Sequence, residues 1–361
     1  MKGRVLVAGF ATRHVVCSAY KAGYEVYAID CFCDQDLHWY TKSCRTFEEM
    51  DEMPGIISEV AGRRKFDYFV VTSGAEDISA EIPVWGTDRR CAEKFISKRK
   101  IQDFFEENSV PVPPISPEGK YPAMLKPVKG AGGWRNMIVS NKSEEDEWNS
   151  LWPDVPYIRQ DVIDGIPCSV SCIASKSGAR AVSVNLQTLR GGAGERAFGF
   201  SGAVTPFATG YADELKRTAE FIAEKSGCIG SLGVDFILSD GGAYAIEVNP
   251  RFQATLDIVE GSTGLNIFEA HINAFKGELP PAVPHAPHVY ARRIIFADRD
   301  LVVKDDLKKF HPNVADIPWP GTEIEEGSAI ISVYGSGKTE EEADSSLHKN
   351  ILEINGYIDR W

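Results

Sequence analysis

The chain has 361 residues, 43% hydrophobic, 25% charged and 10% aromatic, the composition of a folded globular protein long enough for more than one core. Its net charge of -13 opposes a polyanionic partner, because nucleic acids and acidic membrane surfaces are bound by Lys and Arg that displace counterions. No nucleic-acid or membrane partner is expected, whereas a small phosphorylated ligand needs only a few local cations and backbone N–H groups.

Met1 runs directly into Val5-Leu6-Val7 and Gly9, an apolar stretch too short for a signal peptide or membrane span, so a cytoplasmic location is expected. Arg4–Ala8 reads as a strand, Gly9 as a turn and Arg13–Lys21 as a helix ended by Gly23. Tyr24–Ile29 gives a second strand closed by Asp30, and a helical pattern over Phe47–Gly62 leads to a third strand, Phe66–Thr72. This alternation predicts a parallel, Rossmann-like sheet with right-handed crossovers. The first turn reads Gly9-Phe10-Ala11-Thr12 and lacks the glycines that admit a pyrophosphate, so a dinucleotide is not expected there. Eight cysteines (17, 31, 33, 44, 91, 168, 172 and 228) are scattered without paired C-x-x-C spacing. Cys31 and Cys33 are expected as packed thiols in a reducing compartment, neither zinc ligands nor disulfide partners.

Lys94–Glu107 has helical apolar spacing, and the Pro-rich stretch 111–117 after it predicts a linker. Residues 121–275 mix short strands and glycine loops with helical patterns near 211–226 and 264–276. From Pro280 a Pro/His-rich linker, with His285 and His288 as solvated residues, precedes strands at 288–296 and 328–334 and a helix near 339–353.

Two stretches carry chemistry. Tyr121-Pro-Ala-Met-Leu-Lys126 ends an apolar strand on a lysine, and Gly130-Ala131-Gly132-Gly133 follows. Glycines without Cβ let backbone N–H groups crowd around phosphate oxygens while an ammonium supplies a point charge; a hairpin turn with exposed lysines is the plainer alternative. Further on, Gly233-Val-Asp235-Phe-Ile-Leu, a Ser-Asp-Gly-Gly turn and Ala243-Tyr-Ala-Ile-Glu247-Val-Asn249-Pro-Arg251 read as a hairpin with acids on both arms. Glu247, Asn249 and Arg251 alternate onto one face, which Asp235 meets from the other arm. Two carboxylates and an amide oxygen suit Mg²⁺ when phosphates complete its shell, and Arg251 beside them suits a phosphoryl or carboxylate oxygen.

The order Lys98, Lys126 with its glycine loop, Gln160-Asp161-Val162-Ile163-Asp-Gly165, Asp235, Glu247, Asn249 and Arg251 resembles the ATP-grasp superfamily. Asp30-Cys-Phe-Cys-Asp-Gln-Asp36, Glu247-Val-Asn-Pro-Arg-Phe and Ile317-Pro-x-Pro-Gly321 resemble, within it, the branch of predicted carboligases related to biotin carboxylase. Some members of that branch are associated with one-carbon cofactor pathways, which points to cofactor biosynthesis. The resemblance implies an α/β and α+β chain: a Rossmann-like domain (1–93), an ATP-grasp lid subdomain with the glycine loop (94–165), a central subdomain with the metal hairpin (166–280) and a small C-terminal α+β region (281–361). It implies that Lys98, Lys126 and Gly130–Gly133 hold the phosphates of ATP and that the backbone of Gln160–Ile163 faces adenine. Gln187 is expected near the nucleotide because a glutamine recurs there in related enzymes. Asp235, Glu247 and Asn249 would bind two Mg²⁺ ions, with Mn²⁺ as a substitute, and Arg251 and Lys126 would act in catalysis. The glutamate that many relatives use for ribose is replaced by Pro167 or Cys168. The expected reaction joins a small-molecule carboxylate to an amine through an acyl phosphate with release of ADP, and relatives make a homodimer the expected assembly. A bicarbonate-activating carboxylase is the alternative, weakened by Thr255 where biotin carboxylase carries a glutamate base although Gln253 is kept. An inactive ATP-binding regulator is the other alternative, which the lost ribose acid favours and the complete metal set opposes.

Overall fold

The computed structural model describes residues 2–76, 78, 82–130, 132–282 and 286–361. The first apolar runs form β1 (Arg4–Ala8), α1 (Arg13–Lys21), β2 (Glu25–Ile29), β3 (Cys44–Arg45), α2 (Met53–Arg63) and β4 (Tyr68–Val71). The strands make a parallel sheet in the order β3-β2-β1-β4, with apolar clusters on both faces, as near-continuous Val/Ile/Leu runs require. Helix α2 starts later than the helical pattern because Pro54 fits only its first turn, after a short 3-10 turn at Met50–Glu52. Asp30 takes N–H and hydroxyl bonds from Thr12 on one oxygen and N–H bonds from Phe32 and Cys33 on the other, so it closes the turn. The expected free thiol at Cys33 is corrected: Cys33 is disulfide-bonded to Cys44, with Cα atoms 6.0 Å apart, because the chain returns along the edge of β2 to place β3 beside it. Cys31 stays a half-buried thiol.

The expected helix at Lys94–Glu107 is two helices, α3 (Arg89–Ile96) and α4 (Lys98–Glu107), broken at Ser97, whose backbone is extended (φ -102°, ψ 120°). The Pro-rich stretch is not a free linker. Its carbonyls, which proline leaves as acceptors, take bonds from the N–H groups of Ala245 (to Pro111, 2.8 Å) and Asp161 (to Pro114, 2.8 Å). A small antiparallel sheet follows, β5 (Ala123–Pro127), β6 (Met137–Val139) and β7 (Tyr157–Asp161), in the order β6-β5-β7, with α5 (Lys142–Leu151) packing the fully buried Trp148 onto it.

The next elements are β8 (Ile166–Ser175), β9 (Gly178–Leu189), β10 (Phe200–Thr205), α6 (Ala212–Ser226), β11 (Gly230–Ser239), β12 (Gly242–Asn249), α7 (Leu256–Thr263) and α8 (Ile267–Ala274). Helix α7 was not foreseen; Gly264 in the left-handed region separates it from α8. The chain ends with β13 (Val289–Phe296), β14 (Leu301–Val302), β15 (Val314–Ala315), β16 (Glu323–Ile324), β17 (Ala329–Gly337) and α9 (Glu340–Ile358). One eight-stranded sheet runs β12-β11-β8-β9-β10-β13-β17-β15, so β13, β17 and β15 extend the sheet that begins with the β11–β12 hairpin. One face of its first strands packs on α6, α3 and α4 around Phe95, Phe105, Val170 and Ile222. Buried Arg13 of α1 bonds Asp257 of α7 and Asp316 before β16, with Asp36 at 3.5 Å, and Tyr334 of β17 donates its hydroxyl to Asp257. No helix among the described residues is long and apolar enough to cross a membrane.

Candidate active site

In the β11–β12 hairpin Asp235 lies directly opposite Glu247 and Gly233 opposite Asn249. The register shifts after Asp235, leaving Ile246 unpaired in a bulge, and Ile246 and Glu247 both face the cleft beside the hairpin. Gly233 is required: a Cβ there would stand 1.6 Å from Nε2 of Gln253, which Ser171 holds through its hydroxyl (2.8 Å). Asp235 accepts from Gln187 Nε2 (3.0 Å) on Oδ1 and from Asn249 Nδ2 (2.8 Å) on Oδ2. Arg251 donates through Nη2 to Asn249 Oδ1 (3.2 Å) and through Nε to Glu76, a residue of the loop after β4. Lys98, at the start of α4, bridges Glu247 Oε1 (3.2 Å) and the Gly130 carbonyl (3.1 Å).

Burial, then the facing Glu247 carboxylate, pushes Asp235 up to about 7. Burial, then the Lys98 charge, pulls buried Lys126 down to about 8, and its ammonium has no hydrogen-bond partner among the described residues. A cation between the two carboxylates and an anion at Lys126 would each relieve these penalties. No three His, Cys, Asp or Glu side chains cluster as a metal centre among the described residues. The available donors are Asp235, Glu247 and the Asn249 amide oxygen once it turns from Arg251, a set that fits a hard cation completing its shell from phosphates and water.

These side chains open on a cleft of about 360 Å³ between the small sheet and the β11–β12 end of the large one. Lys98, Lys126, Gly132, Gly133, Gln160, Asp161, Val162, Ile163, Gln187, Asp235, Glu247, Asn249 and Arg251 all line it. Gly130 sits at its margin through the bond to Lys98, and Ala131 lies outside the described residues. Gly133 has φ 70°, and a Cβ there would be 2.2 Å from the Phe198 carbonyl oxygen, so the glycine loop packs against the segment before β10. Gln160 donates to Gln102 (2.7 Å) and keeps a buried, unpartnered Oε1, while Asp161 is paired with Lys120 (2.8 Å).

The cleft also contains residues that spacing did not single out: Met124, Ile138 and Ile246 as apolar wall, and Asp164 at the end of the hinge segment. Met124 sits one turn of the strand pleat from Lys126, which was a readable signal; Glu76 reaches Arg251 across 175 residues of sequence, which was not. Cys168 is in the core under α6 and lies outside the cleft lining. Ser201–Pro206 is largely β10 rather than a pocket turn, and its Thr205 hydroxyl is bonded to Asn185. His285 lies outside the described residues; His288 is exposed.

Residues 95–255 match the family model of the ATP-grasp domain. Over 357 residues the chain is 26% identical to an uncharacterised protein of Methanocaldococcus jannaschii, covering 91% of this chain and 87% of that one. Its fold is similar to that of the biotin carboxylase domain of 2-oxoglutarate carboxylase from Hydrogenobacter thermophilus, a structure holding MgADP and bicarbonate (TM-score 0.79, 15% identity, 97% of this chain and 89% of that one). It is also similar to the L-amino acid ligase of Bacillus licheniformis (TM-score 0.69, 17% identity, 97% of each chain).

Proposed function

We propose that this chain, whose residues 95–255 match the ATP-grasp domain and whose fold is similar to that of a biotin carboxylase domain, is an ADP-forming ligase that activates a carboxylate with Mg·ATP and couples it to an amine. The observation that carries the reading is Lys126, a buried ammonium with no hydrogen-bond partner among the described residues, in one cleft with the Asp235–Glu247 pair, Lys98 and Arg251. Adenine is assigned to the apolar wall of Met124, Ile138 and Ile246, where the free Gln160 Oε1 accepts from its amino group. Asp164 is the carboxylate available to the ribose hydroxyls in place of the missing glutamate. Lys98 and Lys126 hold the phosphates, and Gly130–Gly133 cover them.

Mg²⁺ held by Asp235, Glu247 and Asn249 would supply charge neutralisation at the phosphates. A substrate carboxylate oxygen attacks the γ-phosphorus in line as the bond to the ADP oxygen breaks, while Arg251 neutralises charge on the transferred group. The amine then attacks the acyl carbon, phosphate leaves and the amine proton passes to solvent or to the leaving phosphate. Glu247→Gln is expected to abolish ADP release with the fold intact by circular dichroism; full turnover by that variant would remove the metal assignment. Substrates are sought by thermal shift with acids and amines in the presence of a non-hydrolysable ATP analogue, since a native-state ligand raises the midpoint.

A second reading, bicarbonate activation, is favoured by Gln253 held at the cleft by Ser171. It is opposed by Thr255, which lines the cleft with a buried, unpartnered hydroxyl and supplies no base near neutral pH. Bicarbonate-dependent ATP consumption without an amine would reverse the order.

A further inference from the structure

On β8, Cys168, Val170, Cys172 and Ala174 point into the core under α6, and the alternate residues face the other way. Among these, Ile173 joins the apolar cluster around Phe252, Leu256 and Phe268. Ser169 and Ser171, toward the cleft end of the strand, belong instead to a polar row that crosses three strands. Its other members are Ser183 and Asn185 of β9 and Thr205 of β10, and all but half-buried Ser171 are buried. An apolar side chain would fill this space without a desolvation cost, as Ile173 does on the same face, and a buried asparagine is tolerated only when its groups are bonded.

Asn185 uses its full capacity. Its Oδ1 accepts from the hydroxyls of Ser183 (2.9 Å) and Thr205 (2.7 Å), and its Nδ2 donates to those of Ser169 (3.2 Å) and Ser171 (3.1 Å). Ser171 Oγ, already accepting that bond, gives its single proton to Gln253 Oε1 (2.8 Å). The Gln253 oxygen is thereby turned to the sheet. Its Nε2 lies over the bare backbone of Gly233 and has no partner among the described residues. Gln253 is 8% exposed and lines the cleft with Arg251. Reversing the Asn185 amide would reverse the bonds of the row and turn the Gln253 oxygen toward a cleft that already holds the Asp235 and Glu247 carboxylates.

We propose that Asn185 is a positioning residue of this site: acting through Ser171, it fixes the Gln253 carboxamide with its N–H donors toward the cleft. Beside Arg251 those donors take an oxygen acceptor, and a protonated carboxyl group would bring a donor against them. The role rests on the ligase reading, in which the acceptor is the carboxylate oxygen that is not phosphorylated.

The chain contains five glutamines, Gln35, Gln102, Gln160, Gln187 and Gln253, so isotope-labelled glutamine gives few side-chain N–H signals by NMR, and Gln253→Asn identifies that of Gln253. The full chain, saturated with Mg²⁺ and a non-hydrolysable ATP analogue, is titrated with acetate as the probe. Wild type is expected to show one pair of Gln253 N–H signals that shifts with acetate. Asn185→Leu is expected to split or broaden that pair and to weaken acetate binding by about three- to tenfold, with the ATP analogue bound within about twofold of wild type. Ser171→Ala should do the same with Asn185 in place, and Ser171→Thr, which restores the hydroxyl, should return the wild-type pair; these two carry the test if Asn185→Leu does not fold. An unchanged Gln253 pair in Ser171→Ala overturns the positioning role, as does a change that moves all five glutamine signals alike. Failure of the ligase reading shows separately, as a Gln253 pair that responds to Ser171→Ala but not to acetate.

Discussion

Replacing Asp235 by Asn separates the cost of this carboxylate from its use. Its pKa is about 7 in the folded chain, raised from 3.8 by burial and by Glu247. The folded state therefore binds more protons than the unfolded state between those values, and stability falls as pH rises through that window. A difference of about three pH units corresponds to about 4 kcal/mol above pH 7. The side chain opens on the cleft, and screening by water there reduces the figure to about 2 kcal/mol. The Asn side chain keeps the shape but turns an NH₂ toward Gln187 or Asn249, at a cost of about 1 kcal/mol. Asp235→Asn is thus expected to be more stable than wild type by about 1 kcal/mol at pH 8 and to reach parity with it at about pH 5, where the wild-type penalty has fallen to about 0.8 kcal/mol. Urea unfolding in EDTA at the two pH values measures this convergence, and adding Mg²⁺ with an ATP analogue should stabilise wild type far more than the variant. A variant equally destabilised at both pH values would show that Asp235 is an ordinary structural acceptor, and the electrostatic argument for a cation site would fall.

Gly133→Ala puts a Cβ against the Phe198 carbonyl in a left-handed turn, so backbone must shift; it should weaken ATP-analogue binding several-fold, read by calorimetry, and lower the unfolding midpoint by a few degrees at most. His271 accepts the Ser231 N–H on Nδ1 and donates from Nε2 to the Trp85 carbonyl, and burial pulls its pKa down to about 4. Its stability contribution, up to about 3 kcal/mol, is present above about pH 6.5 and lost as pH falls toward 4; His271→Gln should flatten that part of the acid-unfolding curve, leaving the similar slope of His14. Thr255→Val removes a buried hydroxyl without a partner and should leave stability unchanged or raise it by up to about 1 kcal/mol in denaturant unfolding, whereas a loss above 2 kcal/mol would mean the hydroxyl is bonded.

What could be read in the sequence was whatever depends on short periods. The two-residue spacing of Glu247 and Asn249 put them on one face because strand pleating allows nothing else, and Asp235 met them because a tight turn fixed the register, whereas Arg251 lies past the end of β12 and reaches the cleft from the turn after it. Lys126 and its glycine loop were legible for the same local reason. The bulge that turns Ile246 into the cleft was not, since one extra residue leaves the apolar pattern intact. The break at Ser97 was hidden inside a pattern that keeps helical spacing on both sides, and α7 lies wholly before the pattern that begins at Gly264. Pairings across the chain, Glu76 with Arg251 and Cys33 with Cys44, depend on how loops are carried by the sheet and leave no local mark.

The Arg13 cluster bears on how this chain can be dissected. A fragment confined to the matched stretch 95–255 would lack Arg13, Asp257 and Asp316 together, and would also expose the edge of β10 that β13 covers. A fragment retaining only one side would strand a buried charge, which destabilises by about 3–5 kcal/mol when its partner is gone. The smallest unit worth expressing is therefore the whole chain, and inserted tags or split sites belong in surface turns such as Ser239–Gly242, away from the seam where the first helix meets the last strands.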